Sequence, residues 1–394
     1  MKKNLSIITS LLLSAPLFAD NLSDAFTNSK VNGEIKAAYV DSNFLGAANS
    51  DDISAIGGNI NLKTGSFYGL SAGVTFQSSS IINKDITSGG TKADSFNGSG
   101  AVMSEAYLNY IIANSSFKIG RQFINTPLVS SALDGKSSEA LIKDSFEAYT
   151  LINTDIPNTT LLASYVDKYQ ALTDASGNIG TFKQAEDGAY TIYAKNTSIQ
   201  NLTLQAQYLK LNSTTTGNDK NALYFQADYQ FGPQTLSAQY LASTDKSQAS
   251  SAQDGKLFGL KASGPLGISN FGYLIAYNSS TDKNGSVYSG VGEGTSDTPF
   301  TAVPVHGGGV PTRPDTDTLV GALVLPAADT TFIPYYGKSF SKTHVLGDVI
   351  AYGAMFIYPV VKNLLFKINY ERVECEKIIT KDTNTTRVYL SYKF

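Results

Sequence analysis

The sequence predicts an all-β fold, a transmembrane antiparallel β-barrel of eighteen strands, and three observations carry that prediction. Apolar and polar residues alternate with period two over run after run, the mark of strands with one apolar and one polar face. The connections between the runs alternate as well, short then long. A barrel with tight periplasmic turns and long extracellular loops has that order, and a soluble sandwich has no reason to. Composition agrees: 42% of the 394 residues are hydrophobic but only 16% are charged, against about 25% charged in soluble domains. Ser, Thr, Asn, Gln, Gly and Tyr fill the place of the missing charge.

The same composition excludes other classes. Cys375, His306 and His344 are the whole supply of cysteine and histidine, too few for a disulfide framework or a clustered zinc site. Neither a metal nor a cofactor is expected. The 30 Lys plus Arg are spread along the chain against 33 Asp plus Glu, so nucleic acid is not an expected partner. After the first twenty residues, no apolar run approaches the roughly 18 residues of a membrane helix.

The elements follow in order. Residues 1–19 read as an export signal: Lys2 and Lys3, then the apolar run Leu5 to Leu13, then Ala19 before the cut. Residues 20–30 form a periplasmic segment, either a short amphipathic helix or a plain tail, and 31–394 the barrel. The first nine strands are expected at 31–41, 52–64, 66–77, 101–112, 115–124, 143–152, 158–169, 187–197 and 199–211. The second nine are expected at 219–231, 234–244, 254–264, 267–279, 316–325, 330–341, 346–358, 363–374 and 384–394. The clearest places Leu223, Phe225, Ala227, Tyr229 and Phe231 on one face and Tyr224, Gln226, Asp228 and Gln230 on the other. The last does the same with Val388, Leu390, Tyr392 and Phe394 against Arg387, Tyr389, Ser391 and Lys393.

The short connections are turns such as Gly232–Pro233, and the long ones include 78–100, 125–142, 170–186 and 280–315. In hydrocarbon every unpaired backbone group costs several kcal/mol, so a sheet spans a membrane only by closing on itself. Its apolar face then meets lipid and no hydrophobic core is required. Tyr and Phe at strand ends form the interfacial girdles. Eighteen strands leave an aqueous channel inside, which implies transport.

Three stretches carry a resemblance to a known family: NLSDAFTNSKVNGEIKAAYVD after the signal, KIGRQFINTPLVSS from Lys118 to Ser131, and SFEAY from Ser145 to Tyr149. They resemble the major outer-membrane porins of epsilonproteobacteria and are similar to the OprD-type family. The resemblance implies that the third loop, 125–142, folds into the barrel and narrows the pore, and that the long loop 280–315 is the seventh. It implies passive diffusion of small hydrophilic solutes and ions through the outer membrane, and a homotrimer. The terminal Phe394 resembles the signal read by the barrel-assembly machinery, and lipid with lipopolysaccharide would surround the wall.

Selectivity in a wide pore comes from charges at its constriction. The third loop supplies Asp134, Lys136 and Glu139. Alternation sends Glu105, Tyr107 and Asn109 inward, and Glu147 is expected there too. Arg121 falls in phase with Phe117 and Ile119 on the lipid face, where a charge at midplane costs about 2 to 4 kcal/mol, so a rim position or bulge that turns it toward the loop is expected. Lys195, Gln226, Asp228, Lys367, Glu371 and Arg387 line the lumen further round. Asp282, Glu293, Asp297, Arg313 and Asp315 of the seventh loop read chiefly as surface decoration.

The same residues bear on other functions. An adhesin or structural barrel acting through its outer loops is the alternative. A hydrolase working at the rim would need His306 or His344, but no nucleophile elbow or carboxylate pair accompanies either, so both read as ordinary loop histidines. Cys375 reads as a solvated loop thiol. DASGN at Asp174 to Asn178 lacks the ligand spacing of a calcium loop.

Overall fold

The computed structural model describes residues 18–19, 21–44, 50–86, 96–215, 218–246, 253–281, 285–307, 310–341, 347–377 and 382–394. Eighteen long strands alternate up and down. They are β1 (Lys30–Phe44), β2 (Ser50–Lys63), β3 (Leu70–Ile86), β4 (Gly100–Ile112), β5 (Ser115–Gln122), β6 (Ser145–Asn153), β7 (Thr159–Gln170), β8 (Lys183–Asn196) and β9 (Leu202–Leu211). The remainder are β10 (Lys220–Phe231), β11 (Gln234–Asp245), β12 (Gln253–Pro265), β13 (Gly272–Ser280), β14 (Thr316–Ala327), β15 (Thr330–Ser341), β16 (Val349–Val361), β17 (Leu364–Cys375) and β18 (Thr383–Lys393). Each pairs antiparallel with the next, and β18 returns to pair with β1 from Glu34↔Lys393 to Phe44↔Thr383. The ring of eighteen strands is closed among the described residues. Among the described residues no helix is long and apolar enough to cross a membrane.

Two predicted strands are displaced, for reasons local to the chain. The third, expected at 66–77, begins at Leu70 and runs on to Ile86, because Tyr68 (φ 49°) and Gly69 (φ 89°) reverse the chain first. Beyond Gln77 three serines at 78–80 are polar on both faces and Ile81 and Ile82 are apolar on both, so alternation carries no signal there. The thirteenth, expected from 267, starts at Gly272, because Gly267 and Ser269 both take positive φ in the preceding turn.

The outer wall is apolar: Leu108, Tyr149, Ile192, Phe225, Tyr229, Phe258 and Leu390 point outward and are exposed. Tyr149, Tyr165 and Tyr190 are cross-strand neighbours with ring centroids 6.2 and 4.8 Å apart, an aromatic row toward the long-loop end. At the seam, the Gly33 N–H donates to the Phe394 carbonyl and the Phe394 N–H donates back, both at 3.0 Å. The Phe394 ring fills the space over Gly33, where an added Cβ would lie 2.6 Å from it. Residues Leu22–Thr27 form a helix capped by the Asn21 side chain, which accepts from Asp24 N–H at 2.9 Å. That settles helix over tail for this segment. The helix lies under the first short turn, where the Gly65 N–H donates to the Ala25 carbonyl. Residues 1–17 and 20, most of the expected export signal, lie outside the described residues, as do His344 and Asp282.

The expectation that no hydrophobic core is needed is overturned at the long-loop end. Val166, Leu209, Leu241 and Leu257 face inward at their strand ends and pack with Leu128, Val129 and Phe146. A second cluster joins Val40, Ile53 and Tyr389 to Phe96, Leu141, Ile142, Leu172 and Ile179. These inward apolar residues form a bed for loops that fold into the barrel. Leu209 and Leu211 signal it in the sequence, since they stand in the polar phase of β9 opposite Leu204 and Tyr208.

Candidate functional site in the barrel lumen

Two long loops enter the lumen, L3 (123–144, after β5) and L7 (281–315, after β13). L3 opens with a tight hairpin, Asn125–Thr126 against Val129–Ser130. Gln207 of β9 holds it: the buried amide accepts from the Leu128 N–H at 2.9 Å and donates to Thr126 Oγ1 at 2.8 Å. Glu105 of β4 accepts from the Thr75 hydroxyl at 2.6 Å and from the Phe123 N–H at 3.3 Å, so it fixes the point where L3 leaves the wall.

The turn of L3 is held by cations from other strands. Lys36 of β1 donates to Asp134 (3.1 Å), Glu139 (3.4 Å) and the Ala140 carbonyl (3.2 Å). Lys143 also donates to Asp134, at 3.0 Å, and Lys367 of β17 donates to Glu139. Arg387 of β18 donates to the Ser137 carbonyl at 2.8 Å. Burial alone would raise both carboxyls, but Lys36 and Lys143 hold Asp134 well below the usual carboxylate range. Lys36 and Lys367 likewise hold Glu139 down. Both are therefore ionised and neutralised in place.

L7 lies along L3. The Val291 N–H donates to the Leu128 carbonyl and the Ser130 N–H to the Val291 carbonyl, both at 3.0 Å. Glycine at every second position makes this approach possible. An added Cβ at Gly290, Gly292 or Gly294 would stand 2.1 to 2.3 Å from Leu128 O, Ser130 O or Ser130 Oγ. A short 3-10 helix, Glu293–Asp297, then presents Asp297 to L3, where it accepts from the Ser137 N–H (3.0 Å) and from the hydroxyls of Ser137 and Ser138 (2.6 Å each). Thr298 Oγ1 donates to the Pro127 carbonyl at 2.7 Å.

Further along, Glu371 of β17 is fully buried and accepts from the N–H groups of Val305 (3.1 Å) and His306 (3.0 Å), the His306 ring and the Tyr335 hydroxyl (2.7 Å). These contacts correct the reading of L7 as surface decoration and of His306 as an ordinary loop histidine. The loop is held inward because its backbone groups find partners on L3 and on the lumen wall. Cys375 is corrected too: it is buried at the end of β17 beside Val349 and Val373. Asp174 accepts the N–H groups of Ser176 and Asn178 in a local turn.

The other predicted site residues divide into three groups. Tyr107, Asn109, Lys195, Gln226 and Asp228 face the lumen. Tyr107 lies flat over Gly73 and beneath Lys118, whose Nζ is 4.3 Å from the ring centroid. Asp228 accepts from Ser237 Oγ at 2.6 Å and from Gln226. Lys367, Glu371 and Arg387 also face inward, but L3 and L7 cover them. Lys136 is exposed and forms no ion pair with a described residue. Arg121 and Glu147 are cross-strand neighbours on the outer face, in phase with Ile119 and Tyr149, which corrects both lumen assignments. Arg121 Nε lies 3.5 Å from Glu147, its guanidinium stacks 4.2 Å from the Phe182 ring centroid, and Lys168 pairs with Glu147 at 2.8 Å. The charge stays outside because partners at the strand end neutralise it there, with no bulge needed to turn it inward.

Sequence reasoning missed Lys36, Lys118, Lys143, Asp144, Gln207 and Lys261. Alternation marks Lys36, Gln207 and Lys261 as inward, the same rule that found Lys367. Lys261 Nζ lies 4.2 Å from the ring centroid of Phe300 in L7.

No family model matches the chain, and no curated protein sequence matches it. Solved structures do. OpdO of Pseudomonas aeruginosa superposes with a TM-score of 0.76 at 15% identity, over 94% of this chain and 98% of that one. A BenF-like porin from Pseudomonas fluorescens Pf-5 gives 0.75 at 13%, over 94% and 99%. Pseudomonas aeruginosa OpdK, solved with vanillate, gives 0.73 at 14%, over 94% and 99%. The chain thus shares its fold with structural neighbours of the OprD/Occ type over 94% of its length.

Proposed function

We propose that this protein is an outer-membrane porin, a water-filled channel for passive diffusion of small hydrophilic solutes and ions. The observation that carries the reading is a closed eighteen-stranded barrel, apolar outside, whose polar lumen is crossed by L3 and L7. A structural barrel has no need to fasten loops across its own interior. In this reading residues 1–19 are the export signal, the short turns face the periplasm, and the long loops face outward. The chain performs no catalysis, and its wall sits among lipid and lipopolysaccharide, with trimer assembly as an added expectation.

The ionic preference follows from which charges remain free. The carboxylates of the L3 turn are neutralised by lysines. Lys118, Lys136, Lys195 and Lys261 form no ion pair with a described residue, and Glu105, Asp228 and the Asp297 carboxylate of L7, held by neutral donors, stand against them. Selectivity set by such lumen charges favours anions. The vanillate complex of OpdK makes a small aromatic carboxylate a sensible probe, because Lys118 and Lys261 each sit over an aromatic ring. Purified refolded protein in a planar bilayer under a salt gradient is expected to give stable ohmic steps with an anion-selective reversal potential. A folded barrel that passes no current would overturn the channel reading, and a cation-selective potential would overturn the charge assignment.

A further inference from the structure

Resting on the channel reading, we propose that Asp144 is the positioning residue that joins L3, L7 and the barrel wall into one body and so sets the width of the passage. Asp144 is fully buried at the end of L3. Its Oδ1 accepts from the Ala132 N–H at 2.6 Å, across the base of L3. Its Oδ2 accepts from the Glu293 N–H of L7 at 2.9 Å and from the Tyr169 hydroxyl of β7 at 3.0 Å. Three elements far apart in sequence thus meet on one carboxylate, and every donor needs an acceptor there. Without it, two backbone N–H groups and a phenol lose their acceptor.

The surroundings make this contact a coupling point. The glycine run of L7 passes directly over it, and a Cβ at Gly292 would lie 3.0 Å from Asp144 Oδ2. A cavity of about 380 Å³ opens beside it, lined by Tyr169, Thr173, Lys183, Glu186, Tyr288 and Gly292. Tyr169 therefore faces that cavity while bonded to Asp144. Asp297 makes a second contact between the loops, but it reaches only L3 and not the wall. Asp144 alone of the two carboxylates ties the pair to a strand.

The test uses single-channel recording of the full-length protein, wild type against Asp144→Asn, Asp144→Ala, Tyr169→Phe and the double variant Asp144→Ala/Tyr169→Phe. Heat-modifiable migration and far-UV circular dichroism check the barrel. Asp144→Asn preserves volume and serves where Asp144→Ala does not fold. Asp144→Asn and Asp144→Ala are expected to lose the single steady current level and to show noisy, higher-conductance states. Tyr169→Phe is expected to show a milder form of the same change, and none in the Asp144→Ala background, because the phenol acts through the carboxylate. Steady wild-type-like traces from a folded Asp144→Asn channel would overturn the proposal, and so would additive effects in the double variant, which would indicate packing alone. Limited proteolysis of L7 keeps the two readings apart. A wild type without current defeats the channel reading, while faster cleavage of 285–307 in Asp144→Asn still supports the coupling and unchanged cleavage defeats it.

Discussion

Asp144 is also the residue at which the loops should respond to pH. Burial pushes its carboxyl up to about 7 against the opposing N–H donor of Glu293, while the charge of Glu293 itself adds to the rise and Ala132 and Tyr169 oppose it. The clasped state therefore binds a proton more tightly than a released state, whose Asp titrates near its ordinary value of about 3.9. The clasp gains stability as pH falls from about 7 toward 4 and gains none above 8. Current noise recorded between pH 8 and pH 5 is expected to decrease on acidification in the wild type, where the protonated carboxyl keeps two oxygens for its donors, and to stay high without that dependence in Asp144→Asn, whose amide nitrogen cannot accept. A different cost attends the L3 turn. Glu139→Gln leaves Lys367 buried without its counter-charge, and breaking a buried pair costs about 3 to 5 kcal/mol. Chemical denaturation should show that loss, and replacing Lys367 by Met in the same chain should recover much of it. Residues such as Glu105, Lys367, Glu371 and Arg387 were legible because strand alternation sends them inward. Asp144 was not, since no local pattern announces where three separate elements converge. Glu147 was legible and misassigned: it shares the parity of Tyr149 and Leu151, which point outward.

At the scale of elements, the glycines of L7 decide whether two loops lie together. Gly292 has φ 95° and would place a Cβ 2.2 Å from the Ser130 carbonyl oxygen. Gly292→Val is expected to lift L7 from L3 while leaving the strands intact, giving an unchanged circular-dichroism spectrum with faster proteolysis of L7. Slow cleavage of that variant would show that the loops do not depend on this approach. The strands themselves were legible from period-two alternation, and where they ended early or late the reason was local. A stretch such as 78–86, where three serines are followed by Ile81 and Ile82, hides its phase, and a positive φ at Tyr68 or Ser269 moves a turn. The inward fold of L7 left a weaker trace in the spacing of Gly290, Gly292 and Gly294. Glycine at alternate positions marks a segment that runs close against another backbone.

Over the whole molecule, closure of the sheet separates two charge problems that the sequence presents as one. Outside, Arg121, Glu147 and Lys168 neutralise each other at the strand ends, beyond the tyrosine row. Inside, the lysines of β1 and β17 are consumed in holding L3, so the loop's own carboxylates contribute little field to the passage. The remaining field comes chiefly from Lys118, Lys261, Lys195 and Lys136, with Glu105, Asp228 and the Asp297 carboxylate of L7 opposing. Removing two of these cations while leaving the ionic anchors of the loops in place isolates that claim, so the Lys118→Gln/Lys261→Gln channel should keep its conductance steps and shift its reversal potential toward zero. The shift should be largest at low salt, because the screening length falls from about 30 Å at 0.01 M to about 3 Å at 1 M. The double variant Glu139→Gln/Lys367→Met, by contrast, should move the potential little, since it removes a carboxylate together with a lysine that neutralises it. Were that double variant to dominate instead, the L3 turn would face the solute after all, and the division between anchoring and selecting charges would fall.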